Sequence, residues 1–208
     1  MVTTDGIVGV LEAAGVDSVF GLPSEQMEPY YASLDGSSLR HVLARTEASA
    51  ALMADGYARA GGALGVVDGV GGPGAAYTGA GLIEAAGAAS PVLALTGDND
   101  RAYRGREAIQ DADNEAILAP HVAASYDPET PARAVEATAH AVREARTGVP
   151  SPVHVNLTED VLEGALDDED DGVPSSEALA PPASPGPADA DVTAVLDLLR
   201  AADRPAIL

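Results

Sequence analysis

The chain has 208 residues and a formal charge of −22, from 33 acidic side chains against 11 basic ones, every one of them Arg. A field of that sign repels phosphate backbones and anionic lipid surfaces, which excludes nucleic acid and membrane surfaces as partners. With no Cys there is no disulfide, thiolate metal site or Cys nucleophile, and no apolar run approaches the ~18 residues needed to cross a bilayer. Met1–Asp5 lacks the basic and apolar regions of a signal peptide, so the cytoplasm is the expected compartment. The dispersed carboxylates fit a surface adapted to high salt, where screening shortens to ~3 Å at 1 M.

In chain order, a helix is expected near Thr4–Ala14, then a short apolar strand at Val16–Phe20, a helix near Met27–Leu34 and a strand at Leu39–Leu43. Thr46 is a good N-cap and Gly61-Gly62 a good stop, so Glu47–Ala60 reads as a helix with Glu47 in its first turn. Gly56 inside it costs ~1 kcal/mol relative to Ala and signals close packing. Strands follow at Leu64–Asp68, Pro91–Thr96, His121–Ser125 and Pro152–Asn156, with helices near Ala75–Ala89 and Pro131–Arg146. This alternation predicts an α/β fold: a doubly wound, mainly parallel six-stranded sheet with helices on both faces. The aromatic content is 3%, with one Phe and no Trp, so packing has to come from Ala, Val, Leu and Gly.

Residues 1–162 form the expected domain. Residues 163–190 carry the run Asp167–Asp171 and then a Pro-rich stretch, which reads as an extended charged linker. The acidic run lacks the spacing of an EF-hand, and no metal site is expected. Residues 191–208 look like a helix followed by a strand that is just beginning at Arg204–Leu208, the opening of a truncated further domain.

In such sheets ligands bind at the carboxyl ends of strands. The loops there are Gly21–Glu25, Arg45–Glu47, Gly69–Gly74 and Gly97–Asp100. The third matches G-x-G-x-x-G through Gly69, Gly71 and Gly74, with Asp98 as a ribose-binding acid, so a Rossmann-type dinucleotide module is one reading. Against it, the motif follows the third strand rather than the first, and Pro73 removes a backbone N–H.

Taken together, Phe20-Gly21-Leu22-Pro23, Arg40-His41-Val42-Leu43, Glu47 with Ala54–Ala60, Gly71–Ala75, and Pro152–Leu157 with Asp160-Val161 resemble the N-terminal pyrimidine-binding domain of thiamine diphosphate enzymes. The similarity is to the acetolactate synthase and 2-oxoacid decarboxylase group. The resemblance implies that Glu47 hydrogen-bonds N1' of the cofactor's aminopyrimidine and is the catalytic residue here. It assigns Pro23, Gly72, Pro73 and Gly74 to cofactor binding alongside Glu47, and Ser24, Glu25 and Gln110 to the substrate side. Ser24-Glu25 replaces the family's common Gly, Ile109 stands where Phe is frequent, and Thr46 takes a place often held by His. The family's Gly-Asp-Gly and Asn, which hold Mg2+ and the diphosphate, belong to a domain not contained in these residues. The resemblance therefore implies a 2-oxo acid substrate, decarboxylated or carboligated, a homodimer or homotetramer, and an isolated chain that binds thiamine diphosphate weakly and does not turn over. A non-catalytic domain of the same fold is the remaining alternative.

Overall fold

The computed structural model describes residues 1–166, 172–181, 183 and 186–206. Six strands form one parallel sheet in the order β2-β1-β3-β4-β6-β5: β1 (Ser18–Gly21), β2 (Arg40–Leu43), β3 (Gly65–Gly69), β4 (Val92–Asp98), β5 (Ala124–Tyr126) and β6 (Val153–Thr158). The helices are α1 (Thr3–Ala13), α2 (Glu28–Asp35), α3 (Glu47–Gly61), α4 (Pro73–Gly87), α5 (Asn114–Leu118), α6 (Pro131–Arg146), α7 (Glu159–Leu162), α8 (Ser176–Leu179) and α9 (Asp189–Ala201).

Alternation along the strands sorts the core into two layers. Val19, Val66, Leu93, Leu95, Val153 and Val155 face α1, α2 and α6, while Phe20, Val67, Val92 and Ala94 face α3, α4 and α5. The second layer is built from small side chains because the helices lie close to each other and to the sheet. A Cβ at Gly65 would overlap the Ala54 backbone, and one at Gly81 would overlap Ala51 and come within 2.9 Å of Leu52 N. Gly56 behaves otherwise: it is exposed, with nothing within 4 Å of a Cβ placed there, so the expected close contact is not made by this chain.

Order in the sheet creates a topological switch point between β1 and β3. From β1 the chain winds outward to β2 and then returns to β3 on the other side of β1. From β4 it passes to the edge strand β5 and comes back to β6 between them. At β1/β3 the connections leave in opposite directions, and the carboxyl ends of the two strands part into a crevice.

Three expectations are corrected. His121 closes a 3-10 turn, Ala119–His121, and lies outside β5. Arg204–Ala206 carry no strand, and Ile207 and Leu208 lie outside the described residues, as does the acidic run Asp167–Asp171. The stretch after α7 is less extended than its composition suggests. Leu166, Val173 and Leu179 pack on the first core layer, with Leu179 fully buried, and Arg146 donates to the carbonyls of Leu179 and Ala14. Sparse apolar residues in an acidic, Pro-rich segment are enough when an existing groove receives them. The helix α9 buries none of its residues. No helix among the described residues is long and apolar enough to cross a membrane.

Candidate active site

Glu47 is the first residue of α3, set by its cap: Ser49 N–H donates to Thr46 Oγ1 at 3.1 Å. The helix thus starts at the crevice between β1 and β3, with the Glu47 side chain under the loop that follows β3. The residue is 6% exposed, and its carboxylate has no hydrogen-bond partner among the described residues. Two glycines make room for it. A Cβ at Gly69 would stand 3.0 Å from Glu47 Cγ, and one at Gly74 would stand 3.1 Å from Oε1 and 2.6 Å from Val70 Cγ1.

The carboxylate opens into a cavity of about 630 Å³. Pro23, Ser24, Glu25, Glu47 and Gln110, singled out from the sequence, all line it, together with Leu22, Gln26, Val70, Asn99, Ile109 and others. Gly74 borders it through Glu47. Gly72 and Pro73 are not lining residues. Gly72 is the N-cap of α4 at φ 59°, and a Cβ there would come within 2.6 Å of the Gln110 carbonyl, so it brings the loop before α4 against the loop carrying Gln110. Pro73 opens α4 and faces solvent. Gln110 itself holds φ 59° without being glycine, a strained backbone at the cavity rim.

Sequence reading missed the residues that hold the glycine loop. Gly71 N–H donates to Gln26 Oε1 at 2.9 Å, and Gly72 N–H to Asn114 Oδ1 at 2.7 Å. Asn114 Nδ2 donates to the Gly97 carbonyl and to Asn156 Oδ1 at 2.9 Å, and Thr96 donates to that same oxygen. Asn156 Nδ2 in turn donates to Asp98 and Asp127. Behind them His154 is fully buried, 2.8 Å from Thr96 Oγ1 and 2.7 Å from Ser125 Oγ. Thr96 has one proton and gives it to Asn156, so it accepts from His154 Nε2–H, and Nδ1 accepts from Ser125. Burial pushes the His154 pKa down to about 4, leaving it neutral at physiological pH.

This network separates the two functional readings of the glycine loop. In a phosphate cradle the loop's N–H groups point free at the ligand; here Gly71 and Gly72 have theirs committed to buried side-chain amides, and the Glu47 carboxylate occupies the adjoining space. Asp98 is held by Asn156 and by Arg104, which also pairs with Asp127, at a second cavity of about 310 Å³ at the carboxyl ends of β4 and β6. It is not placed to serve the glycine loop as a ribose acid. The described residues contain no cluster of three or more His, Asp or Glu side chains suited to a metal ion.

A family profile described as thiamine pyrophosphate enzyme, N-terminal TPP binding domain, matches residues 1–117. A probable acetolactate synthase large subunit of Methanocaldococcus jannaschii is 38% identical over 82% of this chain and 29% of its own length. An acetolactate synthase large subunit of Parasynechococcus marenigrum is 32% identical over 98% of the chain and 34% of its own length, and a probable 2-ketoarginine decarboxylase of Pseudomonas aeruginosa is 34% identical over 83% and 33%. The chain spans about a third or less of these relatives. With more than half of its residues matched by the profile, it belongs to the thiamine pyrophosphate enzyme family, as the N-terminal TPP-binding domain of acetolactate synthase-like proteins.

Proposed function

We propose that this chain supplies the pyrimidine-binding half of a thiamine diphosphate site in an enzyme that decarboxylates or carboligates a 2-oxo acid, with Glu47 as its catalytic residue. The observation that carries the reading is a buried carboxylate without a hydrogen-bond partner among the described residues, at the floor of a cavity in a topological switch point, with glycines clearing the space around it. Such a group fits a flat heterocycle with a hydrogen-bonding nitrogen at its edge. Leu22, Val70 and Ile109 offer apolar surface for the ring faces. When bound, thiamine diphosphate supplies the carbanion chemistry and the electron sink. Glu47 contributes a hydrogen bond and a proton position at the ring nitrogen, and the Gln26 and Asn114 amides keep the glycine loop from closing on it.

The same cavity does not suit a diphosphate. Its lining includes Glu25, Glu47 and Glu159 and no basic side chain, so Mg2+ and the diphosphate are assigned to a separate domain. Residues 191–208 are read as the opening of a further domain: α9 leaves Val192, Val195, Leu196 and Leu199 exposed along one face, and similarity to the Parasynechococcus relative runs through nearly the whole chain. Residues 163–190 join it to the first domain, and the complete site forms in a homodimer or homotetramer. Pro23, Ser24 and Glu25, with Gln110 across the cavity, face the substrate.

The test uses the full polypeptide of the reading frame that contains this chain, with pyruvate as the first 2-oxo acid. Wild type releases CO2 in the presence of thiamine diphosphate and Mg2+, and Glu47→Gln lowers kcat by about 10²- to 10⁴-fold, the range for a lost acid–base group, with an unchanged circular dichroism spectrum. Undiminished turnover in Glu47→Gln refutes the role. For the 208 residues alone, calorimetry with thiamine diphosphate and Mg2+ is expected to show weak binding, and tight binding would refute the division between domains.

A further inference from the structure

Behind the cavity wall lies a buried acid that the proposed chemistry does not use. Asp68, on β3, is 1% exposed. Its register partner on β1 is Gly21, and a Cβ at Gly21 would overlap the Asp68 carboxylate. The side chain therefore lies across β1 in the space that glycine leaves free and reaches β2, where His41 Nε2 stands 3.0 Å from Oδ2. From α2, the Tyr31 hydroxyl donates to Oδ1 at 3.0 Å. One carboxylate thus joins three adjacent strands and a helix directly beneath the loop Leu22–Glu25.

The link to that loop runs through Tyr31. With its proton committed to Asp68, the Tyr31 oxygen faces Ser24, whose hydroxyl and backbone N–H both act to lower the phenol pKa against the larger upward push of burial and of Asp68. Ser24 Oγ is buried and has no hydrogen-bond partner among the described residues. On the far side of the wall a second hollow, about 430 Å³, is lined by Pro23, Tyr31, Asp35, Arg40 and His41 among others. Pro23 belongs to both hollows. The His41 side chain is 19% exposed, and its ring meets Tyr31 edge-on at 5.4 Å. Protons therefore reach His41 from the outer hollow and not through the Glu47 cavity.

We propose that Asp68, clamped between His41 and Tyr31, is the positioning residue for the Leu22–Glu25 wall of the Glu47 cavity, and that the proton on His41 sets how firmly the wall is held. The inference goes beyond the cofactor reading and stands whatever the cavity binds. The groups facing the cluster are Tyr30 and Tyr31 from α2, Asp35 at the end of that helix, Arg40 beside His41 on β2, and Asp68 from β3. The hydrogen bond to Asp68 holds the His41 pKa above its usual 6.5. Burial raises that of Asp68, against the pull of His41 and Tyr31. A histidine raised in the folded state contributes stability that is complete below 6.5 and is lost as pH rises through the raised value. Above that point Asp68 is a buried acid facing only neutral donors, the less stable arrangement.

Amide exchange and imidazole NMR on the labelled 208-residue chain test this between pH 5.5 and 8.5. In wild type, His41 is expected to titrate above 6.5, and protection factors at Ser24–Met27 are expected to fall severalfold through the same midpoint while those of Leu93–Leu95 stay level. Asp68→Asn should return His41 to its usual value or below and abolish the pH dependence at Ser24–Met27. Tyr31→Phe should keep His41 raised and lower Ser24–Met27 protection at every pH, and His41→Gln, which leaves Asp68 a neutral donor only, should hold protection at the high-pH wild-type level at every pH. Wild-type protection at Ser24–Met27 that runs parallel to Leu93–Leu95 overturns the proposal. If Asp68→Asn does not fold, unchanged protection in Tyr31→Phe overturns it alone.

Discussion

Beside the paired carboxylates, one buried residue, His154, should make this protein less stable on acidification. The imidazole is fully buried between Thr96 and Ser125, and burial brings its pKa from 6.5 down to about 4. The unfolded chain binds that proton near 6.5 and the folded chain only near 4, so between those values the unfolded state holds more protons and stability falls as pH falls. At about 1.4 kcal/mol per pH unit, the full displacement is worth roughly 3 kcal/mol. Structurally, the added proton removes the Nδ1 acceptor that Ser125 uses and places a charge next to the Thr96–Asn156–Asn114 chain that fixes Gly72. Urea unfolding at a series of pH values from 7.5 to 4.5, for wild type and His154→Gln, isolates the effect from the many surface carboxylates that both proteins share. The stability difference should shift by roughly 2.5 kcal/mol against wild type across that range, the rest of the displacement lying below pH 4.5. The ¹⁵N spectrum should show the Nε2–H tautomer throughout its upper part. Parallel stability curves, or a His154 titration near 6.5, would refute the reasoning.

Two further outcomes are expected. Asn114→Leu leaves the Gly72 N–H without its acceptor and the Gly97 carbonyl and Asn156 Oδ1 each short of a donor; at about 1–3 kcal/mol for a buried group left unpaired, urea denaturation should register a loss of that order or more, with chemical-shift changes concentrated at Gly71–Gly74. Leu179→Ala removes a fully buried side chain from the segment that composition alone marks as linker; unfolding should show about 2–5 kcal/mol of destabilisation, whereas an undocked segment would show none.

Much of the fold is readable locally. The short apolar runs Leu64–Asp68 and Pro91–Thr96, the Thr46 cap and the helix of Pro131–Arg146 all report short-range physics, and β3, β4, α3 and α6 fall where that physics puts them. Element ends moved by no more than two residues except at the start of β5, which lies three residues later than expected. His121 misled because an apolar run with β-branched neighbours looks alike in a strand and in a 3-10 turn, and α5 was missed because five residues carry too little periodicity to register.

Glu47 was legible because a single acid in an Ala-rich first turn is conspicuous, and because the motif around it is shared with a family. Gln26, Asn114, Asn156 and His154 were not. Each is an ordinary polar residue whose meaning depends on a partner far along the chain, 45 residues between Gln26 and Gly71 and 42 between Asn114 and Gly72. Asp68 is similar: it ends a strand of otherwise apolar texture, and only the register that lays it over Gly21 and against His41 gives it a role.

The sequence by itself determined the class of fold, the place of Glu47 at a helix start and the sign of the surface charge, because propensity, capping and composition act within a few residues or over the chain as a whole. The tertiary structure decided which loops meet at the β1/β3 crevice, which N–H groups of the glycine loop remain free for a ligand, and which polar side chains are buried. Those depend on strand order and register, where residues tens of positions apart must satisfy one another's hydrogen bonds once water has been excluded.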